Sequence, residues 1–294
     1  MTSASTGKKL KPTIGRFENV KVKVQNSKLW NPDFVGVLMT RTDALDPDKV
    51  KPNTKRVGSK ILVYSSTSST NDIAAEYAKD KDNNGLAVFA EQQTNGRGRA
   101  GNKWLSTPGD SILCSIILTD SKLNSELLSL GCAVAAAEAI SNHAKIKWPN
   151  DIILNGRKVA GILLESKKAH SKSTYIIGIG INCHQTKDDF PAELRATATS
   201  IDIESQTICD RNLLAKRLLT SIEHWLEIAE SNSKKVTEQW RNLSSLLNQR
   251  VTLVFNGAEF TGNCTGIDPE KGLILQLDTG GVRMFDAAHT TIVK

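Results

Sequence analysis

Residues 147–165 read KWPNDIILNGRKVAGILLE and predict a β-hairpin. Asn155-Gly156 favours a type I′ turn, because both central positions of that turn need a positive φ. The turn would pair the short strand DIIL antiparallel with VAGILLES. Asp151 and Lys158 flank the same hairpin, where Lys158 could offer its charge to a carboxylate or phosphate in a pocket. A plain surface ion pair is the commoner arrangement of such residues.

On either side of this hairpin, apolar strands alternate with helical segments. KILVY, GLAVFAE, SILCSIIL and YIIGIGIN predict buried strands, while DIAAEYAK and SELLSLGCAVAAAEAISNHA predict helices. Helical spacing continues through residues 211–248. From about residue 246, five short strands separated by glycine turns predict a small barrel. The pattern therefore predicts an α+β protein with two folded units.

The glycine-rich segment GRGRAGNKW, residues 96–104, is the sharpest motif in the chain. Its letters satisfy G-x-G-x-x-G, but a dinucleotide-binding fold needs a helix directly after the glycines, and a β-rich segment follows here. Arg97, Arg99 and Lys103 instead place three cations on a backbone whose N–H groups can approach an anion closely. Such a loop suits a nucleotide phosphate, and an exposed basic surface loop is the equally weighted alternative.

A second glycine pattern lies in GIGINCH, residues 178–184. Gly178 and Gly180 remove side-chain bulk from a strand, which often marks the close approach of a ligand or of another backbone. Asn182 could then read an adenine edge, since an amide complements its donor and acceptor pair. Tight sheet packing is the alternative explanation of the same glycines.

The composition is that of an ordinary globular protein. Of the 294 residues, 23% are charged and 39% are apolar, and no apolar stretch reaches membrane-spanning length. The five cysteines lie far apart without CxxC or Cys/His spacing, which predicts reduced thiols and no metal site. Because no apolar stretch is long enough to span a membrane, a membrane is not an expected partner.

Residues 1–57 form a basic leader with 12 Lys/Arg and 5 Asp/Glu, whereas the rest of the chain is formally neutral. A solvated tail is the favoured interpretation, and attraction of nucleic acid is the alternative. Four prolines disfavour a helix-turn-helix, although NVKVKV predicts one short strand. The start only weakly resembles a transit peptide, so we expect a cytoplasmic protein, with a mitochondrial fraction as the lesser alternative.

Together the motifs resemble those of biotin protein ligases. STN, QTNGRGRAGNKW, KWPNDI, GRKVAGILLE and GIGIN occur in the order and approximate spacing of that family, over about residues 58–294. The leader has no counterpart, which suggests a monofunctional type without a DNA-binding domain. The resemblance divides the chain into an N-terminal extension (1–57), a biotin- and ATP-binding catalytic domain (58–245) and a C-terminal SH3-like domain (246–294).

This resemblance implies a mixed β-sheet flanked by helices, like that of class II aminoacyl-tRNA synthetases, followed by a small SH3-like β-barrel. It implies an ATP-dependent ligase that forms biotinyl-5′-AMP and transfers biotin to a lysine in the biotin carrier domains of carboxylases. ATP and biotin would be the substrates, with Mg²⁺ on the phosphates. A homodimer is compatible with the sequence, and nucleic acid is disfavoured as a partner.

The resemblance also assigns roles to residues by motif. Three residues carry catalysis, namely Arg99 and Lys158 on the charge at phosphorus and Asp151 on the acceptor amine. Biotin would be bound by Ser69, Thr70, Asn71, Gln93, Gly96, Arg97, Lys158, Gly161, Gly178 and Gly180. ATP and the adenylate would be bound by Arg97, Gly98, Arg99, Lys103, Trp104, Asn150, Lys158 and Asn182.

Two alternatives remain at this point. A lipoate or octanoate protein ligase would share the fold and the adenylation chemistry, but it would lack the complete GRGRAGNKW and KWPND pair. A nucleic-acid-binding regulatory protein would act through the basic leader, and its binding would depend strongly on salt.

Overall fold

The computed structural model describes residues 20–22, 43–169 and 172–293. In this part of the chain, two β-sheets and six α-helices enclose one hydrophobic core. None of the helices described is long and apolar enough to cross a membrane. Most of the basic leader, and with it the predictions on nucleic acid and targeting, lies outside the described residues.

The larger sheet is mixed and, within the described residues, has eight strands in the order β1-β2-β3-β4-β8-β7-β6-β5. Only β2 and β3 run parallel; the other neighbours pair antiparallel. The strands are β1 (Val20–Val22), β2 (Ile61–Tyr64), β3 (Ala87–Ala90), β4 (Ser111–Ser121), β5 (Lys145–Lys147), β6 (Asp151–Leu154), β7 (Arg157–Ala169) and β8 (Lys172–Asn182). The predicted hairpin joins β6 to β7, with φ of 48° at Asn155 and 80° at Gly156.

The helices cover this sheet and bury their apolar faces against it. They are α1 (Pro47–Val50), α2 (Thr70–Tyr77), α3 (Ser125–Ile140), α4 (Ile201–Ser205), α5 (Arg211–Ser231) and α6 (Ser233–Leu243). Helix α3 is apolar nearly all round because it packs between the sheet and helices α5 and α6. It begins at a cap where Asn124 Oδ1 accepts the N–H of Leu127 at 2.8 Å. Near its other end, Glu138 accepts the indole N–H of Trp225 at 2.8 Å.

The smaller sheet is antiparallel, with the order β12-β11-β10-β9-β13 within the described residues. Its strands are β9 (Arg250–Phe255), β10 (Ala258–Asp268), β11 (Gly272–Leu277), β12 (Val282–Phe285) and β13 (Thr290–Val293). These match the five short strands predicted from the glycine-separated pattern. Leu253, Leu275 and Phe285 are fully buried and belong to the same core as the larger sheet. The two sheets therefore pack as one body.

The core reaches into the segment predicted to be an extension. Leu45, Val50 and Val57 are buried in it, so the packed fold begins before residue 58. The reason is tertiary, because these apolar side chains are spaced too irregularly along the chain to predict an element. Upstream, Val20–Val22 pairs with β2, which places the predicted NVKVKV strand at the edge of the larger sheet. The division into an extension and two domains stays a proposal.

Candidate active site

Strands β7 and β8 and the glycine-rich segment enclose a cavity of about 300 Å³, the size of a small-ligand site. Strand register places Asp151, Gly161 and Gly180 in one row across β6, β7 and β8. The glycines lower the floor of the cavity, and the carboxylate stands at its side. The cavity therefore lies where the sequence motifs converge.

Residues 96–104 fold as a tight hairpin over this floor. Trp104 N–H donates to Gly96 O at 2.9 Å, and Gly98 N–H donates to Asn102 O at 2.7 Å. The tip turns at Ala100 and Gly101, whose φ angles are 52° and 76°. The segment continues into no α-helix, which agrees with the rejection of a dinucleotide-binding fold.

Trp104 rests directly on the glycine floor. A Cβ atom built on Gly180 would lie 2.5 Å from Trp104 Cε2, and one on Gly161 would lie 3.0 Å from Cζ3. Lys158 Nζ is 5.7 Å from the centre of a Trp104 ring, within range of a cation–π interaction. The absence of side chains at these two glycines thus makes room for the indole.

A buried polar cluster lines another part of the cavity. Ser115 Oγ is 2.7 Å from Thr70 Oγ1 and 2.6 Å from Asn71 Oδ1. Gln93 Oε1 accepts from the N–H of Thr70 at 2.7 Å and from its hydroxyl at 3.0 Å. Ser69 is 3% exposed beside them. The cluster offers donors and acceptors that are held in place before a ligand arrives.

Arg97 is held by carboxylates rather than left free for a phosphate. It makes two bonds to Asp72, at 3.0 and 2.7 Å, and one to Glu165 at 3.3 Å. Its hydrogen bonds lower the pKa of Asp72, although partial burial opposes them. The bond to Asp72 is also the main reason why the pKa of Arg97 is raised. Arg97 therefore fixes the base of the hairpin to α2 and β7.

Lys158 and Asp151 form an ion pair across the hairpin that joins β6 to β7. Lys158 Nζ lies 2.5 Å from Asp151 Oδ1, and both side chains line the cavity. Beside them, the amide of Asn150 donates to Ile162 O at 2.9 Å. The pair places a cation and a base candidate at the same wall.

Arg99 reaches from the hairpin to the smaller sheet. It donates to the carbonyl oxygen of Ala287 through a very short contact, and to Thr290 O at 3.3 Å. Asn150 Oδ1 is a further acceptor at 3.4 Å. Burial lowers the pKa of Arg99, while the nearby carboxylates of Asp151, Glu126 and Asp286 raise it. The guanidinium stays charged at neutral pH.

The cavity as a whole is electropositive. Its cationic lining residues are Arg97, Arg99, Lys103, Lys147 and Lys158, whereas Asp151 is its one acidic lining residue among those described. Carboxylates within 4 Å offset the charges of Arg97 and Lys158. The charges of Lys103 and Lys147 are therefore the ones most available to an anion.

The cavity brings together most of the predicted site residues. Those that line it are Ser69, Thr70, Asn71, Gln93, Arg97, Gly98, Arg99, Lys103, Trp104, Asn150, Asp151, Lys158, Gly161, Gly178 and Gly180. Gly96 is not among the lining residues, and a Cβ atom there would lie 2.6 Å from Trp104 O. Gly96 therefore lets the base of the hairpin close, and its predicted contact with biotin stays a prediction.

Asn182 is also absent from the cavity wall. Its side chain is buried and donates to Thr199 O at 3.0 Å. The prediction that Asn182 contacts adenine disagrees with this placement, because the amide is committed to the segment that packs over the end of β8.

Several lining or supporting residues were missed by the sequence analysis. Lys147 begins the quoted KWPND motif, so a signal existed, but no role was given to it. Ser115 carries no local signal, because only strand pairing brings β4 under α2. Thr290 and Ile292 line the cavity from β13, some 190 positions away from the hairpin in sequence.

The thiols have no nucleophilic role in this site. Cys114 lines the cavity, but burial raises the pKa of its thiol far above the neutral range. Burial also raises the pKa of Cys132 to about 12. A thiolate is the reactive form, so these groups are inert at neutral pH.

A polar cluster, a glycine floor and cationic lining residues are the features expected of a protein that binds a small ligand with a polar head and an anionic end. Residues 63–182 match the model of the Biotin/lipoate A/B protein ligase family. Over 242 residues the chain is 33% identical to the bifunctional ligase/repressor BirA of Bacillus spizizenii, covering 80% of this chain and 74% of that protein.

Two further comparisons agree. The chain is 30% identical over 234 residues to the biotin–[acetyl-CoA-carboxylase] ligase of Mycobacterium tuberculosis, covering 76% of this chain and 84% of that protein. The structure of the Aquifex aeolicus biotin protein ligase in complex with biotin and ATP superposes with a TM-score of 0.70. It is 26% identical and covers 80% of this chain and 99% of that chain. The chain belongs to the biotin/lipoate A/B protein ligase family, and the resemblance and fold class inferred from its motifs are confirmed.

Proposed function

We propose that this chain is an ATP-dependent biotin protein ligase. It forms biotinyl-5′-AMP and transfers the biotinyl group to a lysine in the biotin carrier domain of a carboxylase. The observation that carries the proposal is the polar cluster of buried Ser69, Thr70, Asn71 and Ser115 with half-buried Gln93, beside an electropositive cavity. The ureido ring of biotin needs such donors and acceptors, whereas the dithiolane ring of lipoate has no polar hydrogen to donate.

The first half-reaction needs cations around phosphorus. A carboxylate oxygen of biotin attacks the α-phosphorus of ATP, an O–P bond forms, and the bond to the bridging oxygen breaks as pyrophosphate leaves. Lys158 would exchange Asp151 for the reacting carboxylate and phosphate, and Arg99 would stabilise the charge that develops at phosphorus. Lys103 and Lys147 lie in the same wall and would meet the departing pyrophosphate.

Mg²⁺ fits this site as a companion of the nucleotide. Among the described residues, no three His, Cys, Asp or Glu side chains are grouped as a metal site. Mg²⁺ commonly binds substrate phosphates and keeps several waters, and bound there it would neutralise phosphate charge. We therefore assign no metal ligand to the described residues of this chain, and Asp151 keeps its role toward the acceptor amine.

The second half-reaction needs an unprotonated amine. The lysine nitrogen attacks the carbonyl carbon of the mixed anhydride, an amide bond forms, and AMP leaves with the bridging oxygen. An unperturbed lysine is almost fully protonated at neutral pH. Asp151, once Lys158 moves to the ligand, is positioned to accept the amine proton or to orient the amine.

Transfer to a purified biotin carrier domain tests the proposal, with mass spectrometry to detect one added biotinyl group. The wild-type chain should label the domain only when both biotin and ATP are present. Asp151→Ala should slow transfer from preformed biotinyl-adenylate by about a hundredfold, the loss typical of a general base. Normal transfer by Asp151→Ala would remove the role assigned to that carboxylate.

Location and assembly belong to the same proposal. We expect the enzyme in the cytoplasm, and we expect a homodimer as one assembly state. Sedimentation of the chain with and without biotin and ATP would test the latter. The regulatory alternative depends on the basic leader, whose residues are largely outside those described.

A further inference from the structure

Glu126 stands in the first turn of α3, next to the site but outside the cavity wall. Glu126 is only 8% exposed, and its Oε1 accepts a hydrogen bond from the N–H of Ala287 at 2.8 Å. Oε2 is buried and has no hydrogen-bond partner among the described residues. A carboxylate in such a place costs free energy, so a compensating role is expected.

Ala287 is held from both sides of its backbone. Glu126 takes its N–H, and the guanidinium of Arg99 donates to its carbonyl oxygen. The turn around it is closed by its own bonds: the hydroxyl of Thr290 donates to Asp286 O at 2.5 Å, and His289 N–H donates to Asp286 Oδ1 at 3.0 Å. A turn tied in this way moves as a unit, so its attachment to α3 sets where Arg99 finds its acceptors.

Thr290 connects the turn to the cavity. Its carbonyl oxygen also accepts from Arg99, at 3.3 Å, and its side of β13 lines the cavity. The contacts therefore run from α3 through Glu126 and Ala287 to Arg99 and the hairpin. Nothing else among the described hydrogen bonds joins this turn to α3.

We propose that Glu126 is a positioning residue for adenylation, which holds the Asp286–Thr290 turn so that Arg99 is placed over the reacting phosphate. It acts through Ala287 and touches no substrate. The inference rests on the proposed function for its kinetic consequence, but the physical link does not depend on the substrate.

The distance from the side-chain oxygen of residue 126 to the Ala287 N–H should affect the rate of adenylation more than the charge of that side chain does. Glu126→Gln keeps an oxygen in reach of the Ala287 N–H, whereas Glu126→Asp keeps the charge and withdraws the oxygen by one methylene. In pyrophosphate exchange with saturating biotin, Glu126→Asp should lower kcat about tenfold, because Arg99 acts on charge that develops in the transition state and small misplacements of a catalytic group are costly. Glu126→Gln should stay near wild type, and the KM for biotin should not change in either variant.

Glu138 supplies the matched control on the same helix. It accepts from Trp225 Nε1 at 2.8 Å and from Gln239 Nε2 at 2.7 Å, far along α3 from the hairpin. Glu138→Asp should lower the melting temperature and leave kcat unchanged. If Glu126→Asp and Glu138→Asp behave alike, or if Glu126→Gln is the impaired variant, the positioning role is overturned.

Hydrogen exchange of the unliganded chain tests the link separately from the enzymatic activity. The amides of Gly98, Asn102 and Trp104 are hydrogen-bonded in the hairpin and should be protected. Glu126→Asp should speed their exchange, while Glu138→Asp should not. If the protection of these amides against hydrogen exchange is unchanged in Glu126→Asp, the inference is overturned, even if the wild-type chain shows biotin-dependent pyrophosphate exchange. If the wild-type chain shows no biotin-dependent pyrophosphate exchange, the proposed function is overturned. The hydrogen-exchange result then still decides whether Glu126 holds the Asp286–Thr290 turn.

Discussion

Gly180 lies under the Trp104 indole, where any side chain would collide with the ring. In Gly180→Ala, the new Cβ would meet Trp104 Cε2 at 2.5 Å and Cζ2 at 2.6 Å, so the ring and its hairpin must shift. Overpacking of this kind costs about 1–3 kcal/mol of folding free energy. Because the displaced hairpin carries Arg99, kcat/KM for ATP should also fall roughly tenfold, since small misplacements of a catalytic group are costly. Steady-state exchange at varied ATP concentration measures the loss.

Gly131 is the matched control for that substitution. It lies in helix α3, where an added Cβ would lie 3.7 Å from Trp225 O, an ordinary van der Waals contact. Gly131→Ala should keep wild-type kinetics and should stabilise the helix slightly, since alanine is the better helix former. Equal kinetics in the two alanine variants would contradict the close packing of Trp104 on Gly180.

We expect the chemistry to depend most on Arg99. Arg99→Ala should reduce biotin-dependent adenylation about a hundredfold, because one preorganised donor at a developing charge is worth that much. Biotin binding should survive, since the polar cluster around Thr70 and Gln93 has no bond to Arg99. Single-turnover formation of the adenylate and direct titration with biotin separate the two effects. An unchanged adenylation rate would remove Arg99 from the mechanism.

At the scale of elements, a buried ion network fastens the segment before β2 to α5. Arg211 is 1% exposed and donates to Asp43 Oδ2 at 3.0 Å and to Glu91 Oε2 at 2.7 Å. His184 Nε2 lies 2.8 Å from Asp43, and its Nδ1 lies 2.7 Å from Asp202. Glu91 Oε1 also accepts the N–H of Leu45, so the network holds the start of the described fold.

Asp43→Asn should therefore destabilise the fold by about 3 kcal/mol at neutral pH, because it removes one of the two carboxylate charges that pair with the buried guanidinium of Arg211. Burial raises the pKa of Asp43, but hydrogen bonds from Arg211 and His184 outweigh it and the net pKa is lowered. A lowered pKa contributes stability that is present above the unfolded value, about 4, and is lost as the pH falls through the folded value. Urea unfolding at neutral and acid pH measures the free energy of unfolding of both chains. The difference in this free energy between wild type and Asp43→Asn should become smaller at acid pH.

The exposed pair of Arg250 and Asp278 provides the comparison for this network. Its side chains are 69% and 40% exposed, and the two charges lie 2.5 Å apart. Asp278→Asn should change stability by less than about 1 kcal/mol, as exposed pairs contribute little. A loss as large as that in Asp43→Asn would mean that burial is not what gives the Asp43 network its value.

At the scale of the whole molecule, local patterns predicted the elements, and long-range pairing determined what they build. The Asn155-Gly156 turn and the strands of the smaller sheet were readable because a few neighbouring residues decide them. The link of Arg211 to Asp43 spans 168 positions, and no local period records it. The same is true of Ser115 under Asn71 and of Thr290 beside Arg99.

Asn182 shows that a local pattern does not fix what a side chain contacts, and its predicted contact with adenine stays a prediction. Alternation along β8 puts it on the same face as Gly178 and Gly180, which do line the cavity. It is, however, the last residue of that strand, and the segment around Thr199 covers it and takes its amide hydrogen. Periodicity predicts the face of a strand but not what packs on that face.

The measurement that tests the account most directly is biotin-dependent exchange of labelled pyrophosphate into ATP, with lipoate and octanoate as competing acids. The polar cluster and the electropositive cavity predict exchange with biotin and none with the other two acids. Exchange with lipoate or octanoate alone would contradict the role of the cluster in binding a ureido ring. If none of the three acids supports exchange, the result would contradict adenylation as the chemistry of this cavity.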